Sequence, residues 1–84
     1  MRYTVVWSQH AESQLAELWS SAADRRAITA AARAIDTLLA ENAHVLGESR
    51  EGTVRIAFVS PLGVYFEALP SERVARVLHV WTTS

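Results

Sequence analysis

The fold is decided by residues 53–82, which read TVRIAFVSPLGVYFEALPSERVARVLHVWT. β-branched and aromatic residues dominate this stretch and alternate with other side chains, which is typical of strands. Two groups of turn residues divide it. Residues 60–63 (SPLG) place proline second and glycine last, as a β-turn favours, and residues 70–73 (PSER) form a second turn. We therefore predict strands at residues 54–59, 64–69 and 74–82, linked into an antiparallel sheet.

The register of the first hairpin decides which side chains face the core. A four-residue turn would put Val59 opposite Val64 and Ile56 opposite Glu67. Successive side chains of a strand point to opposite faces, and a slip of one residue would exchange the two faces. On the middle strand we expect one set of side chains to face the helices (Val64, Phe66, Ala68) and the other to face an open, partly wet side (Tyr65, Glu67, Leu69).

The first half of the chain has helical periodicity between a short strand and a loop. Residues 3–7 (YTVVW) predict a strand, and Ser8 and Asp24 are the expected N-caps of two helices. Apolar residues recur at helical spacing in both segments: Ala11, Leu15, Leu18, Trp19 and Ala22, then Ile28, Ala31, Ala32, Ile35, Leu38 and Leu39. Residues 42–52 are polar, with Gly47 and Gly52 as breakers, and are expected to form a loop. The predicted order is β-α-α-β-β-β: one α+β domain over residues 1–84, with a two-helix hairpin packed on a small antiparallel sheet.

Composition narrows the classes of function. Half of the 84 residues are hydrophobic and a fifth are charged, which indicates a globular domain and not a disordered chain. There is no cysteine, no apolar run near the roughly 20 residues that cross a bilayer, and an N-terminal apolar stretch too short for a signal peptide. We therefore expect a cytoplasmic protein that does not bind membranes. The net charge is −1, and all eight basic residues are arginine, which suits phosphate binding but equally fits a genomic bias toward arginine.

The candidate chemical groups lie in the second half of the chain. The sequence has no phosphate-binding glycine loop and no histidine spacing for a metal, so no metal or cofactor is predicted. Metal-independent RNA cleavage needs a base, an acid and positive charge at the phosphate. Glu67 or His79 could be the base, His79 or Tyr65 the acid, and Arg55 and Arg76 could hold the phosphate. The predicted catalytic set is Arg55, Glu67, Arg76 and His79, and the predicted substrate-binding set is Arg50, Tyr65, Arg73 and Trp81.

Each of these residues also has a purely structural explanation. Arg55 could be a solvated cross-strand charge partner, and Glu67 could pair with it or with Arg76. Tyr65 could be a half-buried packing ring with a wet hydroxyl group, and His79 a structural histidine between apolar neighbours. Trp7, Trp19 and Trp81 are expected to belong to the core of so small a domain, with Trp81 as the best candidate for an exposed tryptophan.

The sequence resembles the RelE/ParE toxin superfamily over most of its length. The resemblance begins with YTVVWS at residues 3–8 and is clearest in RIAF at 55–58, VYFE at 64–67 and VARVLHV at 74–80. It implies the toxin half of a type II toxin–antitoxin pair, neutralised by a cognate antitoxin that lays an extended or helical segment over the toxin. RelE-like members cleave mRNA in the ribosomal A site, whereas ParE-like members poison DNA gyrase. Arg55 is similar to the arginine of the family's second strand, and Glu67 to the acidic residue of its third.

The departures from the family pattern concern the nuclease members. Many of these carry an arginine where Gly63 stands, and basic residues with a tyrosine or histidine beyond the last strand, where this sequence has Thr83 and Ser84. Ribosome-dependent nucleases of the family also tend to be basic, as contact with ribosomal phosphates requires. We take as the predicted function a toxin that inhibits growth by ribosome-dependent mRNA cleavage. The alternatives are a ParE-like gyrase inhibitor without nuclease activity and an inactive remnant that only binds its antitoxin.

Overall fold

The computed structural model describes residues 2–83, which form two helices and five strands. In chain order these are β1 (Thr4–Trp7), α1 (Gln9–Ser21), α2 (Arg25–Asn42), β2 (Glu48–Glu51), β3 (Val54–Val59), β4 (Leu62–Leu69) and β5 (Val74–Thr82). The predicted α+β class is confirmed, and so is the predicted order of elements, except for the additional strand β2. Across the described residues, no helix is both long and apolar enough to cross a membrane.

Both helices begin at the predicted caps. The Ser8 Oγ accepts a hydrogen bond from the Ala11 N–H at 3.0 Å, and the Asp24 Oδ1 accepts one from the Ala27 N–H at 3.1 Å. These contacts satisfy N–H groups that the first turn of a helix otherwise leaves free. The buried side of α2 is formed by Ile28, Ala31, Ile35 and Leu39. Leu38 was expected on this side but is exposed, because it lies at the edge of the stripe, away from the sheet.

The sheet is mixed, in the order β1-β5-β4-β3-β2. The strands β3, β4 and β5 form the predicted antiparallel ribbon, and β2 adds an antiparallel strand at one edge. At the other edge β1 pairs in parallel with β5, because the two helices carry the chain away from β1 before the ribbon begins. The purely antiparallel sheet that we expected is thus corrected to a mixed one.

The expected loop at residues 42–52 contains β2, so that prediction was wrong. Gly47 and Gly52 have φ of +66° and +57°, and they reverse the chain on either side of this four-residue strand. All four residues of β2 are exposed. An edge strand of this kind carries no alternation of apolar and polar side chains, so its sequence looks like a loop.

The predicted register of the β3–β4 hairpin was wrong by two residues. Val59 faces Leu62, not Val64, and Ile56 faces Tyr65, not Glu67. The connection is the two residues 60–61, shorter than the four-residue turn we expected. A shift of two positions preserves the faces of a strand. The predicted faces of β4 are therefore confirmed: Val64, Phe66 and Ala68 are buried, and Tyr65 is exposed.

The core lies between the helix pair and one face of the sheet. Its largest fully buried side chains come from both layers: Ile35, Leu39, Leu62, Val64, Phe66, Val77 and Val80. The tryptophans differ from our expectation. Trp7 packs at the edge of the core, and its Nε1 donates to Asp36, whereas Trp19 is 44% exposed and is covered by the guanidinium of Arg25 at 4.6 Å. Trp81 is half-buried, so the exposed tryptophan is Trp19, which α1 holds out of reach of the sheet.

Candidate interaction surface

The face of β3, β4 and β5 that points away from the helices is the candidate site, and we call it the open face. Directly opposite residues on neighbouring strands share a face. Tyr65 faces His79, Gly63 faces Trp81, and Glu67 faces Arg76. These cross-strand pairs bring most of the predicted site residues to one side of the sheet.

A bulge in β5 makes this arrangement possible. Tyr65 pairs with His79 and Phe66 pairs with Val77, so Leu78 has no partner across the ladder. Without an extra residue, strict alternation would send Arg76 to one face and His79 to the other, because they are three positions apart. The bulge resets the alternation, and His79 and Trp81 then share the open face with Arg76.

Four rings of the open face form a continuous cluster, and the ring of His10 on α1 extends it through His79. We call these five rings the aromatic row: Phe58, Trp81, Tyr65, His79 and His10. The Phe58 ring meets the Trp81 ring edge-on at 6.1 Å, and the Trp81 ring lies 5.0 Å from the Tyr65 ring. His79 lies 5.6 Å from Trp81 and from His10, and 6.2 Å from Tyr65. Phe58 is 62% exposed and Tyr65 is 37% exposed. Neighbouring exposed aromatic side chains of this kind are candidates for contact with another molecule.

Gly63 allows the Trp81 ring to lie directly on β4. A Cβ atom at this position would stand 2.6 Å from Trp81 Cε2 and 2.7 Å from Cζ2. Any larger residue, including the arginine that the RelE-like nucleases carry, would displace the ring. The glycine and the tryptophan therefore depend on each other, and the ring occupies the space above the strand.

The charged residues of the open face are paired with one another. Arg76 Nη1 donates to Glu67 Oε1 at 3.1 Å, and the Thr53 hydroxyl group donates to Glu67 Oε2 at 3.1 Å. Both carboxylate oxygens thus already accept a hydrogen bond. Of the two structural explanations for Glu67, the pair with Arg76 is the one observed.

Arg55 lies apart from the other three predicted catalytic residues. It faces the fully buried Phe66 across the ladder, which places it on the helix side of the sheet. Its Nε donates to the Leu46 carbonyl oxygen at 2.8 Å and its Nη2 to the Gly47 carbonyl oxygen at 3.0 Å. Its contacts in the structure are therefore structural, because they hold the segment between α2 and β2 against β3.

The predicted substrate-binding residues divide into two groups. A shallow cavity of about 640 Å³ brings Arg50 together with Tyr65 and His79, and Trp81 stands beside it in the aromatic row. Arg73 is elsewhere, in the turn before β5, where its φ is +54°. The rise of a strand is about 3.3 Å per residue, so the start of β5 is roughly 16 Å from His79 along the strand.

Three residues of the surface were missed by the sequence analysis: Phe58, His10 and Gln14. The observed register pairs Phe58 with Gly63, so the shorter connection would have placed it beside Trp81. His10 and Gln14 are four residues apart on α1 and so share one side of that helix. Gln14 Nε2 lies 2.8 Å from His79 Nδ1. The packing of α1 beside β5 joins residues that are far apart in the sequence, so no local sequence pattern predicts it.

The class of fold is the RelE/ParE-like α+β fold, and the comparisons with solved structures define it over the whole chain. One match is a chain of the toxin–antitoxin complex RelBE2 from Mycobacterium tuberculosis, with a TM-score of 0.76 and 17% identity, covering 100% of this chain and 95% of that chain. Another is a chain of the chromosomal ParDE TA system from P. aeruginosa, with a TM-score of 0.74 and 13% identity, covering 99% and 98%. At these identities the likeness is one of fold. No protein-family model and no curated protein matches the sequence.

Proposed function

We propose that this protein is the toxin of a type II toxin–antitoxin pair, neutralised by a cognate antitoxin. The observation that carries the proposal is the end-to-end agreement of its fold with chains of two toxin–antitoxin complexes. The sequence resemblance to the RelE/ParE superfamily supports it independently. Its clearest segments, residues 55–58, 64–67 and 74–80, lie in β3, β4 and β5, the strands that build the open face.

We further propose that the toxin acts by binding a macromolecular target through the open face, without cutting RNA. Cleavage without metal needs a base, an acid and free positive charge around one phosphate. Glu67 already accepts from Arg76 and Thr53, and Arg55 is bound to carbonyl oxygens on the other side of the sheet. The aromatic row instead has the composition of protein-binding surfaces, in which tryptophan, tyrosine and arginine carry most of the binding energy. This favours the ParE-like alternative, in which the target is DNA gyrase.

Ribosome-dependent mRNA cleavage is the second candidate, and one observation favours it. Glu67, Arg76 and His79 share one face of the sheet. A phosphate group that replaced Glu67 as the partner of Arg76 would release both side chains for catalysis. Against this, a net charge of −1 gives little general attraction to ribosomal phosphates. Both candidate targets are cytoplasmic, so we expect the protein to act in the cytoplasm.

Expression of the chain alone from a tightly repressed promoter tests the proposal. The expected result is growth arrest with induction of the SOS response and intact transcripts, relieved by co-expression of a small antitoxin from the adjacent reading frame. Rapid transcript cleavage that Glu67→Gln abolishes would replace the binding mechanism by the second candidate. Unaffected growth in cells that contain the folded protein would refute the toxin assignment and support an antitoxin-binding remnant.

A matched pair of aromatic variants tests the open face itself. Tyr65 lies on the open face and is 37% exposed, and Trp19 lies on the helix side and is 44% exposed. Tyr65→Ala should restore growth, whereas Trp19→Ala should leave the chain toxic. Circular dichroism establishes that both variants are folded. The opposite pattern would move the target-binding surface to the helices.

A further inference from the structure

Gln14 of α1 lies against the part of β5 that β1 leaves uncovered. β1 pairs with β5 only as far as Val77. The main-chain groups of β5 beyond that point therefore need other partners. The Val80 N–H donates to Gln14 Oε1 at 2.9 Å, and the Nε2 of the same amide lies 2.8 Å from His79 Nδ1. One side chain thus completes the strand edge and holds the histidine ring.

The contact with Val80 decides which end of the Gln14 amide faces the histidine. A main-chain N–H can only donate, so the atom that it meets must be the amide oxygen. The NH₂ group of the amide must then face His79, and an amide NH₂ group can only donate. His79 Nδ1 therefore accepts this hydrogen bond through its lone pair. In a neutral imidazole the single ring proton then lies on Nε2.

We propose that Gln14 is a positioning residue that fixes His79 in the Nε2–H tautomer, so that the open face presents a hydrogen-bond donor. His79 stands opposite Tyr65, and the rings of His10 and Trp81 flank it at 5.6 Å. Within residues 2–83 the protein supplies no hydrogen-bond acceptor to Nε2, which leaves this donor for an acceptor oxygen of the target. The target contact rests on the proposed function, whereas the tautomer does not.

This arrangement is the reverse of that of a histidine general base. In the Ser-His-Asp arrangement, the histidine base takes up a proton on Nε2 while its Nδ1–H is held by a carboxylate oxygen. Here Nδ1 is held by a donor, so the neutral ring carries its proton on Nε2 and has no lone pair there. His79 therefore recognises an acceptor and does not abstract a proton. His79 thus joins Glu67 and Arg55 among the side chains whose contacts do not suit RNA cleavage.

Gln14→Glu is a nearly isosteric test of this role. The carboxylate keeps an acceptor for the Val80 N–H but replaces the donor that faces His79 with an acceptor. Long-range ¹H–¹⁵N NMR spectra of the whole chain at about pH 9, where imidazole side chains are neutral, distinguish the two tautomers. We expect a pyridine-type shift at His79 Nδ1 in the wild type and a pyrrole-type shift in Gln14→Glu. Gln9→Glu adds the same charge at an exposed position of α1 and should keep the wild-type pattern.

Two spectroscopic results would overturn the inference: a pyrrole-type Nδ1 in the wild type, or an unchanged tautomer in folded Gln14→Glu. These spectra need no toxicity, so a harmless protein would refute the proposed function and leave the tautomer standing. In a toxic protein, Gln14→Glu should weaken target binding about tenfold, the effect of one hydrogen bond, and Gln9→Glu should not. Equal binding by both variants would overturn the role of His79 in recognition.

Discussion

Replacing Gly63 with alanine tests whether the open face depends on the contact between β4 and the Trp81 ring. The added Cβ would stand 2.6 Å from Trp81 Cε2, so the ring must lift or the strands must separate. Overpacking of this kind costs about 1–3 kcal/mol. Gly63 has no positive φ, so alanine also restricts the unfolded chain and stabilises by about 0.4–1 kcal/mol. The net destabilisation is therefore about 0–2.6 kcal/mol, which lowers Tm by up to about 20 °C in a domain of this size.

A double-mutant cycle separates this contact from other effects of the substitution. Without the indole, alanine at position 63 meets no ring, so Gly63→Ala in a Trp81→Ala background should be neutral or stabilising by up to about 1 kcal/mol. The coupling free energy between the two sites is therefore expected to be about 2 kcal/mol. Urea unfolding of the wild type, both single variants and the double variant, followed by circular dichroism, measures it. Equal destabilisation by Gly63→Ala in both backgrounds would refute the reasoning.

Substitutions at four further positions test the contacts that support the surface, and urea unfolding measures the loss of stability unless another assay is named. Gly52→Ala should lower the free energy of unfolding by about 1–2 kcal/mol, because the φ of Gly52 is +57°. Gly47→Ala should lower it at least twice as much, because its Cβ would also lie 2.0 Å from a carbonyl oxygen of β3. Equal losses for the two variants would contradict the clash at Gly47. Arg55→Ala should lower the free energy of unfolding by about 1.5–3 kcal/mol, because it leaves two carbonyl oxygens without a charged donor, and Arg55→Lys should lower it by less. A smaller loss than for Ser8→Ala would contradict the structural role of Arg55. Ser8→Ala should cost about 1 kcal/mol and speed amide exchange in the first turn of α1, and unchanged exchange would argue against the cap.

The local parts of the fold could be predicted because their signals are local. The side chains of Ser8 and Asp24 accept hydrogen bonds from N–H groups only three residues ahead, and the alternation in β4 and β5 lies within the strands themselves. The predicted register of the β3–β4 hairpin was wrong by two positions, but the predicted faces of β4 were correct, because a shift by an even number of residues leaves each side chain on its face. Strand β2 was missed because an exposed edge strand needs no apolar residues.

The parts of the site that could not be predicted depend on contacts between distant residues. Gln14 and His79 are 65 positions apart and meet only because α1 covers the edge of β5 that β1 leaves free. Arg55 was grouped with Glu67 by residue type, whereas the ladder places it opposite Phe66 on the helix side. The residue type sets which chemical roles a side chain can take, whereas its hydrogen-bond and packing partners in the fold determine which role it takes.

The bulge at Leu78 brings together on one face side chains that could form either a binding surface or a catalytic site. Its extra residue turns His79 and Trp81 to the same face as Arg76. What then distinguishes the activities is the set of neighbours on that face. Here Glu67 forms an ion pair with Arg76, Gln14 donates to His79, and the indole of Trp81 covers Gly63. Each contact removes a free base, a free lone pair or a free position for a phosphate-binding cation, while Phe58 and Tyr65 stay exposed. These neighbours are the reason for which we propose that the open face binds a macromolecular partner and does not cut RNA.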